Sequence, residues 1–401
     1  MGIFEGKGEK MKRLPKLYKL SSKNKIQTWE IFTEGNKVIV IQGQLEGKKQ
    51  RYEETIKEGK SIGRSNETTA EQQAEAEAQA KWEKKHNKDY HLDMESCKQK
   101  TKVANVGGYL PMLAQSYEKH AKKYLKYPCL IQPKLDGLRC ISTKNKGVVQ
   151  LWFRSGKEIN TMKHIVKDLE TIMIEGDIFD GELYNHKEDF NTFTGAIRAN
   201  KNLNPELTEK IFYHIYDFPR IQALKEQDSY IKRFEKFNPL HLTMRSIIKV
   251  KTIQVNNFEE AMEWYKKFVE QGYEGIMFRN INMPYEQKRS YNLLKYKEFV
   301  DDEFIIIGAE EGKGILAGHI GSFICKIEAN RVLQDIGGKT FKFGNIEGRV
   351  KAKMKGETKY LKHLFNNPKE YLGKPLTIKY QNLSKDKVPR FPIGINIRFD
   401  K

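Results

Sequence analysis

The sequence predicts an α+β protein built from three consecutive parts, over residues 1–100, 101–299 and 300–401. Three observations support this prediction. The first part contains strand-like segments followed by one helical segment rich in alanine and glutamate. The second part alternates strand-like stretches with short helices, and the third part is rich in strands. A chain of 401 residues also fits two or three domains, because a single core rarely grows that large.

The first part predicts a small α+β module. Strand patterns cover residues 27–33, 37–41 and 50–56, and a turn at 34–36 joins the first two as a hairpin. Thr69 and Gln72 have the spacing of a capping box, which predicts a helix start. Residues 1–16 are basic, and we expect a loose arm there. We expect the polar segment 86–107 to be a linker.

Strands followed by one helix also resemble the layout of a WGR domain, although Gln42-Gly43-Gln44 stands where such a domain has Trp-Gly-Arg. The resemblance implies a module that grips duplex DNA. A role in packing and stability is the alternative.

The third part has the strand spacing of a small barrel. Strands are predicted at 304–308, 321–327, 340–343 and 376–380, with a helix at 358–365 that has Thr358 as a possible N-cap. A five-stranded barrel with one helix is the OB-fold, a common platform for nucleic acids. In the second part, the helical pattern over 258–270 has an apolar face that we expect to pack in the core.

Charge and composition limit the classes of partner. The chain has 72 Lys+Arg against 52 Asp+Glu, a net charge of +20, which favours nucleic acid, although a general lysine bias would explain it equally well. The absence of a secretory signal and of an apolar run of about 18 residues argues against a membrane partner. Neither a zinc ribbon nor a disulfide framework is expected, and a cytoplasmic, reducing location follows, because no CxxC pair occurs among Cys97, Cys129, Cys140 and Cys325.

The most informative segment is Pro-Lys-Leu-Asp-Gly-Leu-Arg at 133–139, directly after the apolar run 129–131. We expect an extended strand here, which would point Lys134 and Asp136 to the same side, with Gly137 allowing a sharp turn. A lysine amine can act as a nucleophile when its pKa is lowered, and a nearby carboxylate can hold a metal ion. Alone, the pattern favours a surface turn with an incidental lysine.

Six further segments follow in a fixed order, at 153–156, 179–183, 213–218, 273–279, 289–297 and 390–400. With 133–139 they resemble the nucleotidyltransferase motifs I, Ia, III, IIIa, IV, V and VI of ATP-dependent DNA ligases, and the resemblance covers residues 108–401. It implies a nucleotidyltransferase (adenylation) domain at 101–299 and an OB-fold domain at 300–401. A compact layout of this kind is similar to the phage and viral enzymes.

The same resemblance implies an activity. The family seals 5′-phosphate/3′-hydroxyl nicks in duplex DNA during replication, repair and recombination. It uses ATP and Mg²⁺, for which we expect Mn²⁺ to substitute, and we expect the protein to act as a monomer. By resemblance, Lys134 attacks the α-phosphorus of ATP to form lysyl-AMP. The AMP then moves to the 5′-phosphate, and the 3′-hydroxyl displaces it.

The resemblance implies that four cationic side chains contact the phosphates. Lys295 and Lys297 lie two residues apart on a predicted strand, so both should face one side and contact the AMP phosphate. Arg139 and Arg154 match the arginines of the first two motifs, and a planar guanidinium suits phosphate oxygens.

The resemblance also implies that carboxylates bind the metal ion. Asp136 and Glu274 are the expected Mg²⁺ ligands, and Glu182 contacts either the metal or the ribose. Asp180, two residues before Glu182, is expected to stabilise a turn rather than to take part in the chemistry.

An apolar slot is expected for the adenine. Tyr216 would stack on the base, Met277 would close the opposite face, and the amide of Gln132 would read the edge of the base. Core packing is the alternative for Tyr216 and Met277, and it is the preferred interpretation of His214.

The last motif contains Arg390, Arg398 and Asp400. The resemblance implies that Arg398 contacts the β- and γ-phosphates of ATP while the OB domain is closed over the site. The domain then swings away to clamp DNA.

Three related enzymes share this core. A capping guanylyltransferase would show Asp-Gly rather than Glu274-Gly275 in the fifth segment and a Trp rather than Tyr296 in the sixth. An RNA ligase would end the first motif differently, and an NAD-dependent ligase would add a zinc module. An inactive nucleic-acid-binding scaffold is the alternative from another class. It would need the basic surface but not Lys134, Lys295 and Lys297 together with Glu274.

Overall fold

The computed structural model describes residues 11–21, 24–86, 90–98, 109–188, 190–199, 204–237, 245–313, 316–354 and 356–399. Asp400 of the last motif lies outside the described residues. The chain forms a β-rich N-terminal module, a mixed middle domain and a closed barrel. The predicted α+β class with a C-terminal OB-type barrel is therefore confirmed.

The N-terminal module is one five-stranded antiparallel sheet with two helices. The strands are β1 (Met11–Arg13), β2 (Leu17–Leu20), β3 (Ile26–Glu34), β4 (Lys37–Gln44) and β5 (Lys49–Thr55), and the helices are α1 (Ala70–His86) and α2 (Met94–Lys98). The capping box is present: the Thr69 amide donates to Gln72 Oε1 at 2.9 Å, and the Gln72 amide donates to Thr69 Oγ1 at 3.2 Å.

Two sequence expectations about this module were wrong in part. Residues 11–13 are not a loose arm, because Met11–Arg13 pairs with the end of β3. The segment 86–107 is not wholly a linker, because it contains α2, and the His91 backbone pairs with Tyr18. In both places the stabilising contacts are made with residues distant in sequence, and a local pattern does not reveal them.

The middle domain consists of two stacked five-stranded sheets. One sheet has the order β12-β11-β10-β8-β9 and the other has the order β13-β7-β14-β15-β6. The strands are β6 (Leu113–Ser116), β7 (Cys129–Pro133), β8 (Leu138–Asn145), β9 (Val148–Phe153), β10 (Ile178–Tyr184), β11 (Phe212–Arg220), β12 (Ile247–Lys249), β13 (Ile253–Val255), β14 (Ile276–Arg279) and β15 (Arg289–Tyr296). The helices are α3 (Tyr117–Tyr124), α4 (Lys163–Glu170), α5 (Phe190–Arg198), α6 (Pro205–Glu209), α7 (Tyr230–Lys236) and α8 (Phe258–Glu270).

The predicted apolar face of α8 packs as expected. Ala261, Tyr265 and Phe268 are buried against β7, β14 and β15. A separate cluster, which includes Met112, Ile141 and Leu293, fills the space between the two sheets. The sheets therefore form a rigid frame, and the ends of β7, β14 and β15 meet at one place.

The C-terminal domain is a closed barrel in the order β16-β17-β20-β22-β21. Its strands are β16 (Val300–Glu311), β17 (Ile320–Ile327), β20 (Gly348–Met354), β21 (Pro375–Tyr380) and β22 (Ile393–Ile397), with the helix α9 (Thr358–Asn366) between β20 and β21. The sequence pattern did not predict the barrel strands β20 and β22. The predicted strand at 340–343 is not in the barrel: β19 (Thr340–Lys342) pairs with β18 (Val332–Gln334) in a separate hairpin. Thr358 is not the N-cap, because Glu357 holds that position without a side-chain bond.

The barrel lies against the middle domain. Ile336, at the tip of the β18–β19 hairpin, packs on the core beneath α8, and Lys339 Nζ lies 3.5 Å from the carbonyl oxygens of Val269 and Glu270. Lys313 of the barrel also forms an ion pair of 3.1 Å with Glu54 of the N-terminal module. All four cysteines are buried, and none of them forms a disulfide bond. Among the described residues no helix has the length and apolar composition to cross a membrane.

Candidate active site

Lys134 lies in the connection between two strands, not within a strand. β7 ends at Pro133 and β8 begins at Leu138, so the expectation that Lys134 and Asp136 belong to an extended strand was wrong. The Lys134 amide donates to the Gly275 carbonyl at 2.8 Å, and the Glu274 amide donates to the Lys134 carbonyl at 3.1 Å. This backbone pairing, an extension of the β7–β14 ladder, places Lys134 beside Glu274.

Glu274 bridges two lysines. Lys134 Nζ donates to Glu274 Oε2, and Lys297 Nζ donates to Oε1 at 2.7 Å. The Glu274 side chain is only 6% exposed. Burial alone would raise the pKa of Glu274, but the positive charges of Lys134 and Lys297 outweigh it and hold that pKa below its ordinary value. Glu274 is therefore a carboxylate that orients two ammonium groups.

Lys295 belongs to the same group of cations. It lies on β15, and Lys297 follows directly after this strand. Burial, and then the positive charges of Lys134 and Lys297, lower the pKa of Lys295. Burial also lowers the pKa of Lys297, although Glu274 opposes this. Three lysines predicted from two motifs are thus close enough to repel one another. This concentration of positive charge suits the binding of an anion.

Gly137 is required by a close approach of the backbone. A Cβ atom at this position would lie 2.5 Å from the Leu183 carbonyl oxygen and 2.6 Å from Glu182 Cγ. The first and third motifs are therefore in direct contact. Burial raises the pKa of Glu182 to about 7, although the positive charges of Arg139 and Lys134 oppose this. The Tyr216 hydroxyl donates to Glu182 Oε2 at 3.3 Å.

Asp180 orients Arg139. The Arg139 guanidinium binds both carboxylate oxygens, with Nε 2.5 Å from Oδ1, and the Tyr285 hydroxyl donates to Oδ2 at 2.6 Å. Asp180 is fully buried in the middle of β10, so the expectation that it stabilises a turn was wrong. The Arg139 guanidinium carbon lies 5.0 Å from the centre of the Tyr216 ring. This arginine is held rigidly beside the predicted base pocket.

Arg154 lies in the turn after β9, at the surface. Partial burial, and then the positive charges of Arg139 and Arg289, lower its pKa. The structure therefore brings Arg154 into the same positive field as Arg139. Its predicted contact with phosphate stays a prediction.

The floor of the site is formed by Gln132 and its neighbours. Gln132 is 2% exposed, its Nε2 donates to Tyr230 and Thr252 at 2.9 Å, and its Oε1 accepts from Arg279 at 2.9 Å. The amide that was predicted to read the adenine edge is engaged with the protein, and that contact stays a prediction. Met277 lies opposite Gln132 in the register of β7 and β14 and packs partly buried between the sheets.

The structure contains a buried network of charged side chains that we did not predict from the sequence. Asp217 and Arg233 are completely buried, and Arg279 is 4% exposed. Asp217 accepts from Arg279 Nη1 at 2.8 Å and from Arg233 Nη2 at 3.1 Å. Asp217 and Arg279 each lie within an apolar segment of a motif. A charged residue in such a segment indicates a buried ion pair, so the sequence contained a signal for this network. Because Arg279 also binds Gln132, the network fixes the floor of the site.

The barrel contributes two side chains to the site. Arg390 Nη1 binds Asp136 Oδ2 at 2.6 Å, and Gln381 Oε1 accepts from Lys297 Nζ. Neither contact was predicted. Arg398, the arginine carried over to the ATP phosphates, instead forms an ion pair of 2.6 Å with Glu303 within the barrel. The arginine of the last motif that contacts a predicted site residue is Arg390.

The three predicted metal ligands do not form a cage. Within the described part of the chain, no group of three or more His, Cys, Asp or Glu side chains is placed to hold a metal ion. Asp136 is paired with Arg390, and Glu274 is paired with Lys134 and Lys297. A cation here would need additional ligands from a bound phosphate, which is the usual situation for Mg²⁺.

Comparisons with known proteins agree with this geometry. The profile of the ATP dependent DNA ligase domain matches residues 111–297, and that of the DNA ligase OB-like domain matches 311–398. The DNA ligase of Enterobacteria phage T4 is 28% identical over 368 residues, which are 77% of this chain and 73% of that protein. The DNA ligase of African swine fever virus is 29% identical over 220 residues, which are 52% of this chain and 51% of that protein.

The fold agrees as well. The solved structure described as Pmar-Lig_PreS3 superposes with a TM-score of 0.60 at 21% identity, covering 72% of this chain and 68% of that one. Both profiles are those of DNA ligases, which decides against the capping-enzyme, RNA-ligase and scaffold alternatives. The profiles cover the lysine cluster and the barrel, and the two relatives described above are phage and viral enzymes, so this chain belongs to the family of ATP-dependent DNA ligases, in its compact phage and viral type.

Proposed function

We propose that this DNA ligase seals 5′-phosphate/3′-hydroxyl nicks in duplex DNA through lysyl-AMP and DNA-adenylate intermediates. One observation carries the proposal. Lys134 and Lys297 share the Glu274 carboxylate, and the barrel is closed over the same place through Arg390 and Asp136. An amine held among other cations, beneath a domain that can close, suits attack on a polyphosphate.

The chemistry assigned to the chain's own residues has three steps. The Lys134 amine attacks the α-phosphorus of ATP, a nitrogen–phosphorus bond forms, and pyrophosphate leaves. The 5′-phosphate oxygen of the nick then takes AMP from Lys134, and the 3′-hydroxyl displaces AMP to close the strand. Lys295 and Lys297 neutralise the charge on the transferred phosphate, and Arg139 and Arg154 bind phosphate oxygens.

Mg²⁺ fits the carboxylates of the site under one condition. Asp136, Glu182 and Glu274 are hard oxygen donors, but they do not converge among the described residues, so one or two of them would bind the ion together with nucleotide phosphates. When bound, Mg²⁺ supplies neutralisation of phosphate charge. Mn²⁺, which accepts similar oxygen ligands, is expected to substitute.

Tyr216 and Met277 are proposed to enclose the adenine, with the Gln132–Arg279 network beneath them. Arg398 is proposed to reach the β- and γ-phosphates once ATP is bound. That role requires Arg398 to leave Glu303, its present partner.

The substrate is proposed to be nicked double-stranded DNA, bound by a monomer in the cytoplasm, which for a phage or viral enzyme is that of the host cell. The net charge of +20 supports a polyanionic substrate. The N-terminal module is proposed to grip duplex DNA beside the nick.

The test is a nick-sealing assay with the full chain and Mg²⁺. ATP, GTP and NAD⁺ are compared on an all-DNA nick and on a matched nick that contains RNA, for wild type and Lys134→Ala. We expect sealing of the DNA nick with ATP alone. We also expect no covalent AMP on Lys134→Ala, whose binding of nicked duplex should stay close to that of wild type. Residual AMP loading in this variant would refute the nucleophile assignment.

A further inference from the structure

The ammonium group of Lys297 has a second partner, which comes from the barrel. Besides Glu274, it donates to Oε1 of Gln381, a residue directly after β21. The family resemblance gives Lys297 a role at the AMP phosphate but gives none to Gln381. A contact that crosses from one domain to a predicted catalytic side chain therefore has no assigned function.

Gln381 is rigidly placed. It is 3% exposed, and its amide donates to the Arg390 carbonyl at 3.1 Å, while the Arg390 amide donates to the Asn382 carbonyl at 2.8 Å. Gln381 and Arg390 thus lie on paired segments of the barrel. Since Arg390 contacts Asp136, both side chains enter the site in the same closed arrangement.

The chemistry of an amide suits this position. Lys297 shares the Glu274 carboxylate with Lys134, and a second negative charge on Lys297 would reduce its attraction for phosphate. The carbonyl oxygen of Gln381 is an uncharged acceptor, so it orients the ammonium group and leaves its charge available. Nε2 of Gln381 is buried and has no acceptor among the described residues. The contact with Lys297 is accordingly made by the oxygen alone.

We propose that Gln381 is a positioning residue that acts through Lys297 in the lysine-adenylylation step and not in strand sealing. The proposal rests on the proposed function, because it requires the barrel to close for the first step and to move away when DNA is bound. When the barrel closes, Gln381 Oε1 accepts a hydrogen bond from Lys297 in the step in which ATP is bound.

The experiment separates the two steps in the full chain. Covalent AMP loading from ATP is timed for wild type, Gln381→Leu and Gln381→Glu, and each protein is then tested for sealing of a pre-adenylated nick without ATP. Gln381→Leu removes the acceptor, and we expect AMP loading to slow about ten- to hundredfold. Sealing of the pre-adenylated nick should stay within about twofold of wild type.

Retained sealing of the pre-adenylated nick excludes a folding defect, and two further variants test the charge of the acceptor and the specificity of its position. Gln381→Glu keeps an oxygen at the same reach but adds a second negative charge beside Lys297, so AMP loading should stay slower than in wild type. Gln334→Leu changes an exposed glutamine on β18 and should match wild type in both steps.

The outcomes are decisive in either direction. Equal losses in both steps, unchanged loading in Gln381→Leu, or wild-type loading in Gln381→Glu would each overturn the role of Gln381. Failure of the wild-type chain to form lysyl-AMP would instead refute the proposed function, so the two failures are distinguishable.

Discussion

At the scale of single residues, charge is arranged around Glu274. Its carboxylate is buried between Lys134 and Lys297. Lys295 adds a third positive charge, and burial, followed by the charges of Lys134 and Lys297, lowers the pKa of Lys295 itself. The sequence predicted each of these residues from its motif. It did not predict that one carboxylate holds two lysines, because that contact joins side chains that are 140 and 23 residues apart.

Glu182 leads to a prediction about pH. Burial raises its pKa from the ordinary value of 4.5 to about 7, so the folded protein favours the protonated form. The folded state therefore loses stability as pH rises through this interval, since the unfolded chain releases the proton more readily. Gln in place of Glu182 removes the titration and keeps an acceptor for Tyr216.

We expect Glu182→Gln to raise the melting temperature by a few degrees at about pH 8, and by clearly less at about pH 5. Differential scanning calorimetry at the two pH values measures this. Glu209→Gln, a change at an exposed glutamate at the end of α6, is the control and should show no such difference. An equal effect at both pH values would contradict the raised pKa.

At the scale of elements, the connection between β7 and β8 decides the geometry of the site. Its backbone is tied on one side to Glu274 and Gly275, and on the other side Gly137 touches β10. The sequence indicated a need for glycine but assigned it to a sharp turn. The structure shows that the reason is the close approach of the Leu183 carbonyl, a residue of another motif.

Gly137→Ala is expected to be destabilising, because the added methyl group would meet the backbone of β10 and force the connection outward. We expect a loss of about 1–3 kcal/mol in the free energy of unfolding, together with slower AMP loading. Chemical denaturation and a loading assay measure the two effects. The matched control is Gly195→Ala in α5, where a methyl group meets no atom within 4 Å and alanine favours the helix. Wild-type loading by Gly137→Ala would contradict the close approach.

At the scale of the whole molecule, the barrel is closed over the middle domain. Gln381 and Arg390 reach the catalytic centre, and the β18–β19 hairpin rests against the end of α8. Because DNA must reach the same lysines, this closed arrangement suits the nucleotide step, and the later steps require the barrel to move. The N-terminal module contacts the barrel through Lys313 and Glu54, an exposed ion pair that contributes little to stability.

The N-terminal module contains a cleft of about 560 Å³ between its sheet and α1. Trp29, Tyr52 and Lys84 line it, but so do Glu53 and Glu54, so its charge is mixed. The role of this module in gripping duplex DNA stays a prediction.

Removal of residues 1–100 is expected to spare AMP loading, since the predicted chemical residues begin at Gln132. The same deletion should weaken binding of nicked duplex by about tenfold or more, because phosphate contacts dominate affinity for DNA. Electrophoretic mobility shift at fixed salt measures the affinity, and retained AMP loading serves as the control for folding. Unchanged affinity would show that the module stabilises the protein rather than grips DNA.

The amino-acid sequence alone indicated the family, the order of the domains and most of the main strands, and it predicted Lys134 as the reactive lysine. These depend on motifs and local periodicity, which a linear pattern records. The tertiary structure decided which side chains meet: Glu274 between two lysines, Asp180 on Arg139, and Asp217 beneath the floor. It also decided that Arg390 and Gln381 enter the site and that Arg398 pairs with Glu303, because the docking of one domain on another is set by contacts that no local sequence pattern encodes.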